Sequence, residues 1–90
     1  MTMASKTKPI IIEIFSKPDC HLCDEAKQEI TKMKKRFLLD VREINITESP
    51  DVYEIYKLEI PVILINGRKA FKYRVEADQL LKRLLSEARP

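Results

Sequence analysis

Ninety residues, 44% apolar and 34% charged, suffice for one small domain with a modest core and exclude a globally disordered chain. The 17 Lys and Arg against 14 Asp and Glu leave a net charge of +3, below what a dedicated nucleic-acid binder carries. Gly67 is the only glycine, which excludes Gly-rich phosphate loops, and no apolar run reaches the length of a membrane span.

Met1–Lys8 is polar and lacks the apolar segment of a secretory signal, so residues 1–9 read as a flexible tail ahead of a domain over 10–88. Ile10–Phe15 is rich in β-branched residues and stops at the turn-forming Ser16-Lys17-Pro18-Asp19, which predicts a central strand. From Cys20 the apolar positions Leu22, Ala26, Ile30, Met33 and Phe37 recur at helical steps. Asp24, Glu25 and Glu29 lie toward the start of this helix and Lys32, Lys34, Lys35 and Arg36 toward its end, as the helix dipole favours. Leu39, Val41, Ile44 and Ile46 predict a second strand, with Asp40, Arg42 and Glu43 facing water.

Ser49-Pro50 reads as an N-cap followed by proline at the first helical position, with Val52, Ile55 and Tyr56 as a short apolar face. Pro61 opens the continuous apolar run Val62–Ile65, a buried strand, and Asn66-Gly67 is a hairpin turn. The partner strand alternates Phe71, Tyr73 and Val75 against Lys72 and Arg74, with its lysines suited to a sheet edge. Ala77, Leu80, Leu81, Leu84, Leu85 and Ala88 form a final helical stripe. The order is β-α-β-α-β-β-α. Helical crossovers require parallel pairing early and the tight turn an antiparallel hairpin late, giving an α/β fold with a four-stranded mixed sheet flanked by helices.

Both cysteines lie in Cys20-His21-Leu22-Cys23, between the first strand and the first helix. A disulfide across so short a loop removes little unfolded-chain entropy and is a weak staple. A thiol at a helix N-terminus, by contrast, sits among unpaired backbone N–H groups that favour the reactive thiolate. A second cysteine three residues on can then attack the mixed disulfide that the first one forms. A protonated His21 would further stabilise that thiolate, whereas Asp24 and Glu25 would oppose it on close approach. Metal binding is the competing use of the pair. Zinc would need donors beyond Cys20, Cys23 and His21, and linear Cu(I) coordination suits two thiolates better.

The chain resembles thioredoxin-fold proteins of the glutaredoxin-like kind. The likeness rests on Phe15-Ser16-Lys17-Pro18-Asp19-Cys20-His21-Leu22-Cys23-Asp24-Glu25-Ala26, on Glu59-Ile60-Pro61-Val62 and on the Asn66-Gly67 hairpin. The resemblance implies that Cys20 is the exposed nucleophile and Cys23 the more buried resolving thiol. It implies that Pro61 takes a cis peptide bond facing the dithiol and that the backbone of Ile60 pairs with a bound peptide or glutathione. It also implies that Lys17 meets a glutathione carboxylate. Two departures stand out: His21-Leu22 replaces the family's proline and aromatic, and Tyr73-Arg74-Val75-Glu76-Ala77-Asp78 contains no Gly-Gly pair to grip the γ-glutamyl group.

The reading is a thiol–disulfide oxidoreductase with Cys20 and Cys23 as catalytic residues and Lys17, His21, Ile60 and Pro61 as substrate contacts. No organic cofactor or metal is required, and glutathione stands as a candidate co-substrate. The expected partners are a disulfide-bearing protein or glutathione, not nucleic acid or membrane, with the chain acting as a monomer. Two cysteines and no signal segment fit a reducing, cytoplasmic setting. The alternative is a non-enzymatic adaptor, or a carrier of copper, zinc or an iron–sulfur cluster, using the same two thiols.

Overall fold

The computed structural model describes residues 8–88; of the expected tail over 1–9, residues 1–7 lie outside the described residues, and Lys8 and Pro9 are exposed and irregular. The first strand, β1, spans Ile10–Ser16 and alternates strictly, placing Ile10, Ile12, Ile14 and Ser16 on one buried face. It is followed by helix α1 (His21–Met33), strand β2 (Leu39–Asn45), a 3₁₀ turn over Ile46–Glu48 and helix α2 (Pro50–Tyr56). Strands β3 (Val62–Ile65) and β4 (Arg68–Lys72) form the hairpin, and helix α3 (Ala77–Glu87) closes the fold.

The sheet order is β2-β1-β3-β4, with β1 internal as its composition predicts. β1 and β2 run parallel, from Ile10 opposite Leu39 to Ser16 opposite Asn45. β3 is antiparallel to both neighbours, pairing Val62 with Phe15 on one side and with Lys72 on the other. The hairpin turns on Asn66 (φ 50°) and Gly67 (φ 83°), the two left-handed residues that a two-residue turn between twisted strands requires. Asn66 also fastens the hairpin to its surroundings. Its Oδ1 accepts from the Ile11 N–H at 2.9 Å, and its Nδ2 donates to Glu87 Oε1 at 2.8 Å.

The core lies between the sheet and α1 with α3. Ile10, Ile12 and Ile14 of β1 and Ile63 and Ile65 of β3 meet Ala26 and Ile30 of α1 and Leu80 and Leu84 of α3. Each fully buried Ile or Leu contributes about 1.5–3 kcal/mol from burial, so this row is the main stabilising element. The opposite face is covered more thinly by α2. Phe15, which alternation turns to that side, stacks on Tyr56 with ring centroids 4.6 Å apart, and no residue of α2 is fully buried.

Several local expectations change. The last strand ends at Lys72, not at Val75, because Tyr73 adopts φ 69° and its N–H turns to the carbonyls of Pro61 (2.9 Å) and Glu59 (3.3 Å). The first helix stops at Met33, short of Phe37, and Cys20 is its N-cap. On α2, Ile55 points outward at 65% exposure, and on α3 Leu85 does so at 51%, so both helices bury narrower stripes than their sequences suggest. Ile46 leaves β2 for the 3₁₀ turn and is buried there. Ser49 occupies the N-cap of α2 without a side-chain capping bond. Among the described residues, no helix is long and apolar enough to cross a membrane.

Candidate active site

β1 delivers the chain to the end of the sheet and the turn Lys17–Asp19 reverses it into α1. Asp19 takes φ 59°, a left-handed conformation that Asp tolerates better than most residues. Cys20 then stands at the N-cap in extended geometry, its carbonyl accepting the Asp24 N–H at 3.1 Å to start the helix. Its sulfur takes the part that a serine or aspartate oxygen plays at an ordinary N-cap: Cys20 Sγ accepts from the Cys23 N–H at 3.2 Å. An otherwise unpaired helix amide is therefore aimed at the sulfur atom, where it would stabilise negative charge once the bond is reduced.

Cys20 and Cys23 are joined by a disulfide, with Cα atoms 5.2 Å apart. The two sulfurs occupy different environments. Cys20 is half-buried, while Cys23 is 0% exposed on the inner face of α1. A reagent approaching from solvent therefore meets Cys20 first.

The sheet register brings the other candidate residues to this end of the molecule. Phe15, Val62 and Lys72 lie side by side across β1, β3 and β4, so the chain before Val62 and the chain after Lys72 emerge beside the dithiol turn. Pro61 is buried and its peptide bond with Ile60 is cis. Ile60 is half-buried, and among the described residues neither its N–H nor its C=O enters a backbone hydrogen bond. Lys17 is exposed and forms no ion pair among the described residues. His21 occupies the first helical position with its side chain 85% exposed, and its Nε2 lies 2.8 Å from Glu25 Oε2. A carboxylate so placed offsets the charge that an imidazolium would bring to Cys20.

The segment after β4, where a Gly-Gly pair is lacking, borders a cleft of about 90 Å³ shared with α1 and lined by Leu22, Glu25, Ala26 and Tyr73–Glu76. Leu22, between the cysteines, thus faces Tyr73, Arg74 and Glu76, and every residue of that wall carries a side chain. Asp78 sits exposed in the first turn of α3.

One set of interactions at this end has no counterpart in the sequence pattern. Glu43 is exposed, as expected, and its carboxylate also holds two partners distant in the chain. Its Oε2 accepts from Ser16 Oγ at 3.1 Å and from Lys27 Nζ at 2.7 Å, and Lys27 also approaches Asp24 at 3.4 Å. Ser16 is the only buried polar side chain among the described residues, and Glu43 satisfies it. The hydrogen bond from Lys27 is the main cause that holds the Glu43 carboxyl below its ordinary value of 4.5 and the Lys27 ammonium above its ordinary 10.5. This clamp ties α1, one turn beyond Cys23, to the end of β1 and to β2. A serine interrupting the alternating Ile10, Ile12, Ile14 row is the signal that could have revealed it.

Among the described residues no group of three or more His, Cys, Asp and Glu side chains converges to hold a metal ion. A CxxC disulfide at a helix N-terminus, on a four-stranded mixed sheet with a cis proline leading into β3, defines a thioredoxin-fold protein with a redox-type site.

The comparisons agree. The model of the Glutaredoxin-like domain (DUF836) family matches residues 11–85, and the chain belongs to that family. It is similar to the Glutaredoxin-like protein YDR286C homolog of Dictyostelium discoideum, 29% identical over 79 residues that span 81% of this chain and 73% of that protein. Among solved structures, a structural-genomics target protein from X. campestris superposes with a TM-score of 0.68 at 24% identity, covering 88% of this chain and 99% of that one. A thioredoxin variant from Halobacterium salinarum gives a TM-score of 0.69 at 14% identity, over 92% of this chain and 78% of its own. These two likenesses concern the fold.

Proposed function

We propose that the protein is a thiol–disulfide oxidoreductase that works through the Cys20–Cys23 pair in a reducing compartment, as a monomer. The observation that carries this reading is the asymmetry of the pair: a half-buried sulfur receives a helix amide at 3.2 Å, and a fully buried one stands within bonding reach.

In the reduced protein, the Cys20 thiolate attacks one sulfur of a substrate disulfide. A Cys20–substrate disulfide forms, and the other substrate sulfur leaves as a thiolate that takes up a proton. Cys23 gives up its proton and attacks Cys20 Sγ, closing the Cys20–Cys23 bond and releasing the second substrate thiol. The substrate gains two electrons and two protons; the protein supplies both electrons and the Cys23 proton, and solvent supplies the proton taken up by the first leaving thiolate. A thiol donor, glutathione or a dithiol protein, restores the reduced pair by the reverse exchange. Lys17, His21, Ile60 and Pro61 contact the substrate in this reading. The unpaired backbone of Ile60 offers both a donor and an acceptor to an extended chain, as in strand addition.

Reduction of hydroxyethyl disulfide by the wild type and by Cys20→Ser tests the reading. The wild type turns over and Cys20→Ser does not; equal activity in both overturns the assignment. Cys23→Ser separates the thiol donors. A mixed disulfide with glutathione that further glutathione resolves supports glutathione as donor, and one that glutathione leaves intact assigns the role to a dithiol protein.

A further inference from the structure

Among the described residues six large apolar side chains are exposed: Leu38, Tyr53, Ile55, Leu58, Tyr73 and Leu85. Four of the six, Tyr53, Ile55, Leu58 and Tyr73, belong to α2, to the turn after it and to the segment that hydrogen-bonds that turn. Ile55 and Leu58 are three residues apart on a continuing helical turn, at 65% and 80% exposure, and therefore share a face. Tyr73 is fixed beside them, because its N–H donates to the Glu59 carbonyl at 3.3 Å. This apolar surface leads directly into Ile60–Pro61. Clustered exposed apolar side chains mark interaction surfaces, whereas scattered ones do not.

The charges on this surface are unequal. The same segments carry Lys57, Lys69, Lys72 and Arg74, with Glu76 beside Arg74 in the cleft wall, and the carboxylates Glu54 and Glu59. Both carboxylates are engaged, Glu54 by Lys57 at 2.9 Å and Glu59 by Lys69 at 2.6 Å. Lys72, whose ammonium lies over the Tyr73 ring at 5.5 Å, forms no close ion pair among the described residues, and its charge reaches only Glu59, which Lys69 already engages. An open groove of about 250 Å³ continues along the β4 edge from Lys69 to Lys72.

We propose that Ile55, Leu58, Tyr73 and Lys72 form a docking surface for the polypeptide around a substrate disulfide, so that the preferred substrate is a protein or peptide with an apolar and an acidic residue within a few positions of its reacting cysteine. This rests on the oxidoreductase reading and names its substrate class. Glutathione has no apolar side chain to cover Ile55 and Leu58. An extended chain advances about 3.3 Å per residue and strands lie about 4.8 Å apart, so a segment lying across β1, β3 and β4 reaches Lys72 within a few residues of the dithiol.

The test measures kcat/KM on three substrates. One is hydroxyethyl disulfide, which reports the dithiol alone. The others are synthetic nonapeptides whose central cysteine is capped by mercaptoethanol, one flanked by Leu and Glu and the other by Ser and Lys. The Leu/Glu peptide is reduced about tenfold faster than the Ser/Lys peptide, a difference of about 1.4 kcal/mol. Leu58→Ser with Lys72→Glu removes that advantage and leaves hydroxyethyl disulfide reduction unchanged; Leu58 is 80% exposed, so the fold does not depend on it. Equal rates for the two peptides, or equal losses on all three substrates, overturn the proposal.

Anisotropy of labelled peptides with serine in place of cysteine separates docking from chemistry. Tighter binding of the Leu/Glu peptide to wild type than to the double variant supports the docking surface even if hydroxyethyl disulfide is not reduced. That second result would overturn the oxidoreductase reading instead.

Discussion

Glu43→Ala removes the carboxylate that joins Ser16 and Lys27, and its cost follows from what each partner loses. Ser16 is 2% exposed, so its hydroxyl loses its acceptor in a site with little access to water. An unsatisfied buried hydroxyl costs about 1–2 kcal/mol. The Lys27 ion pair adds only a few tenths, on the order of 0.5 kcal/mol, because 33% of the Lys27 side chain and 50% of the Glu43 side chain remain in contact with water. At roughly 4–8 °C per kcal/mol for a domain of this size, Tm falls by about 6–20 °C.

Acid should reduce this difference. The folded Glu43 carboxyl is held below its ordinary 4.5, chiefly by the hydrogen bond from Lys27, so its contribution is complete above that value and is lost as pH falls through the lower folded one. Urea unfolding of wild type and Glu43→Ala at pH 7 and at stepwise lower pH gives the comparison. The same pair in a Ser16→Ala background supplies a double-mutant cycle, in which the Glu43→Ala penalty shrinks by about 1 kcal/mol. An identical penalty in both backgrounds, or one that persists undiminished in acid, would refute the clamp.

Ile30→Ala, at a position with 0% exposure in the row between α1 and the sheet, costs about 3 kcal/mol in urea unfolding with an unchanged m-value. Asn66→Ala strips an acceptor from the Ile11 N–H and a donor from Glu87, and it places alanine at φ 50°; a loss of about 2 kcal/mol follows, read as a drop in Tm. In the fully reduced protein, brief treatment with iodoacetamide and peptide mass spectrometry finds Cys20 alkylated at least about tenfold faster than Cys23, since Cys23 is inaccessible and Cys20 receives the helix amide. Equal labelling of the two would remove the asymmetry on which the proposed roles depend.

Much of the candidate site was legible before any coordinates. Cys20 and Cys23 at a strand-to-helix junction, Pro61 ahead of an apolar strand and the Asn66-Gly67 turn are contiguous in sequence, and each depends on chemistry within a few residues. The same holds for β1, whose alternation reports a buried face, and for α1, whose stripe of Ala26 and Ile30 packs on it. Glu43 was not legible in this way. Its neighbours Arg42 and Asp40 form an ordinary exposed ion pair at 2.9 Å, and nothing local distinguishes its carboxylate from theirs. Its partners are 16 and 27 residues away, on α1 and β1.

What the sequence determined by itself was the set of elements, the dithiol at a helix start and the direction of most apolar faces, because backbone preference and side-chain period act over one or two turns. Tertiary structure decided which strands are neighbours, where β4 ends and which apolar residues are left uncovered. Tyr73 leaves the sheet because the carbonyls of Glu59 and Pro61 claim its N–H from another part of the chain. Ile55 and Leu58 remain exposed because α2 spans only Pro50–Tyr56 and meets the sheet through Tyr56 and Phe15, turning its other apolar side to water. Periodicity shows that a residue is apolar and which way it points; only the packed chain decides whether anything stands opposite to cover it.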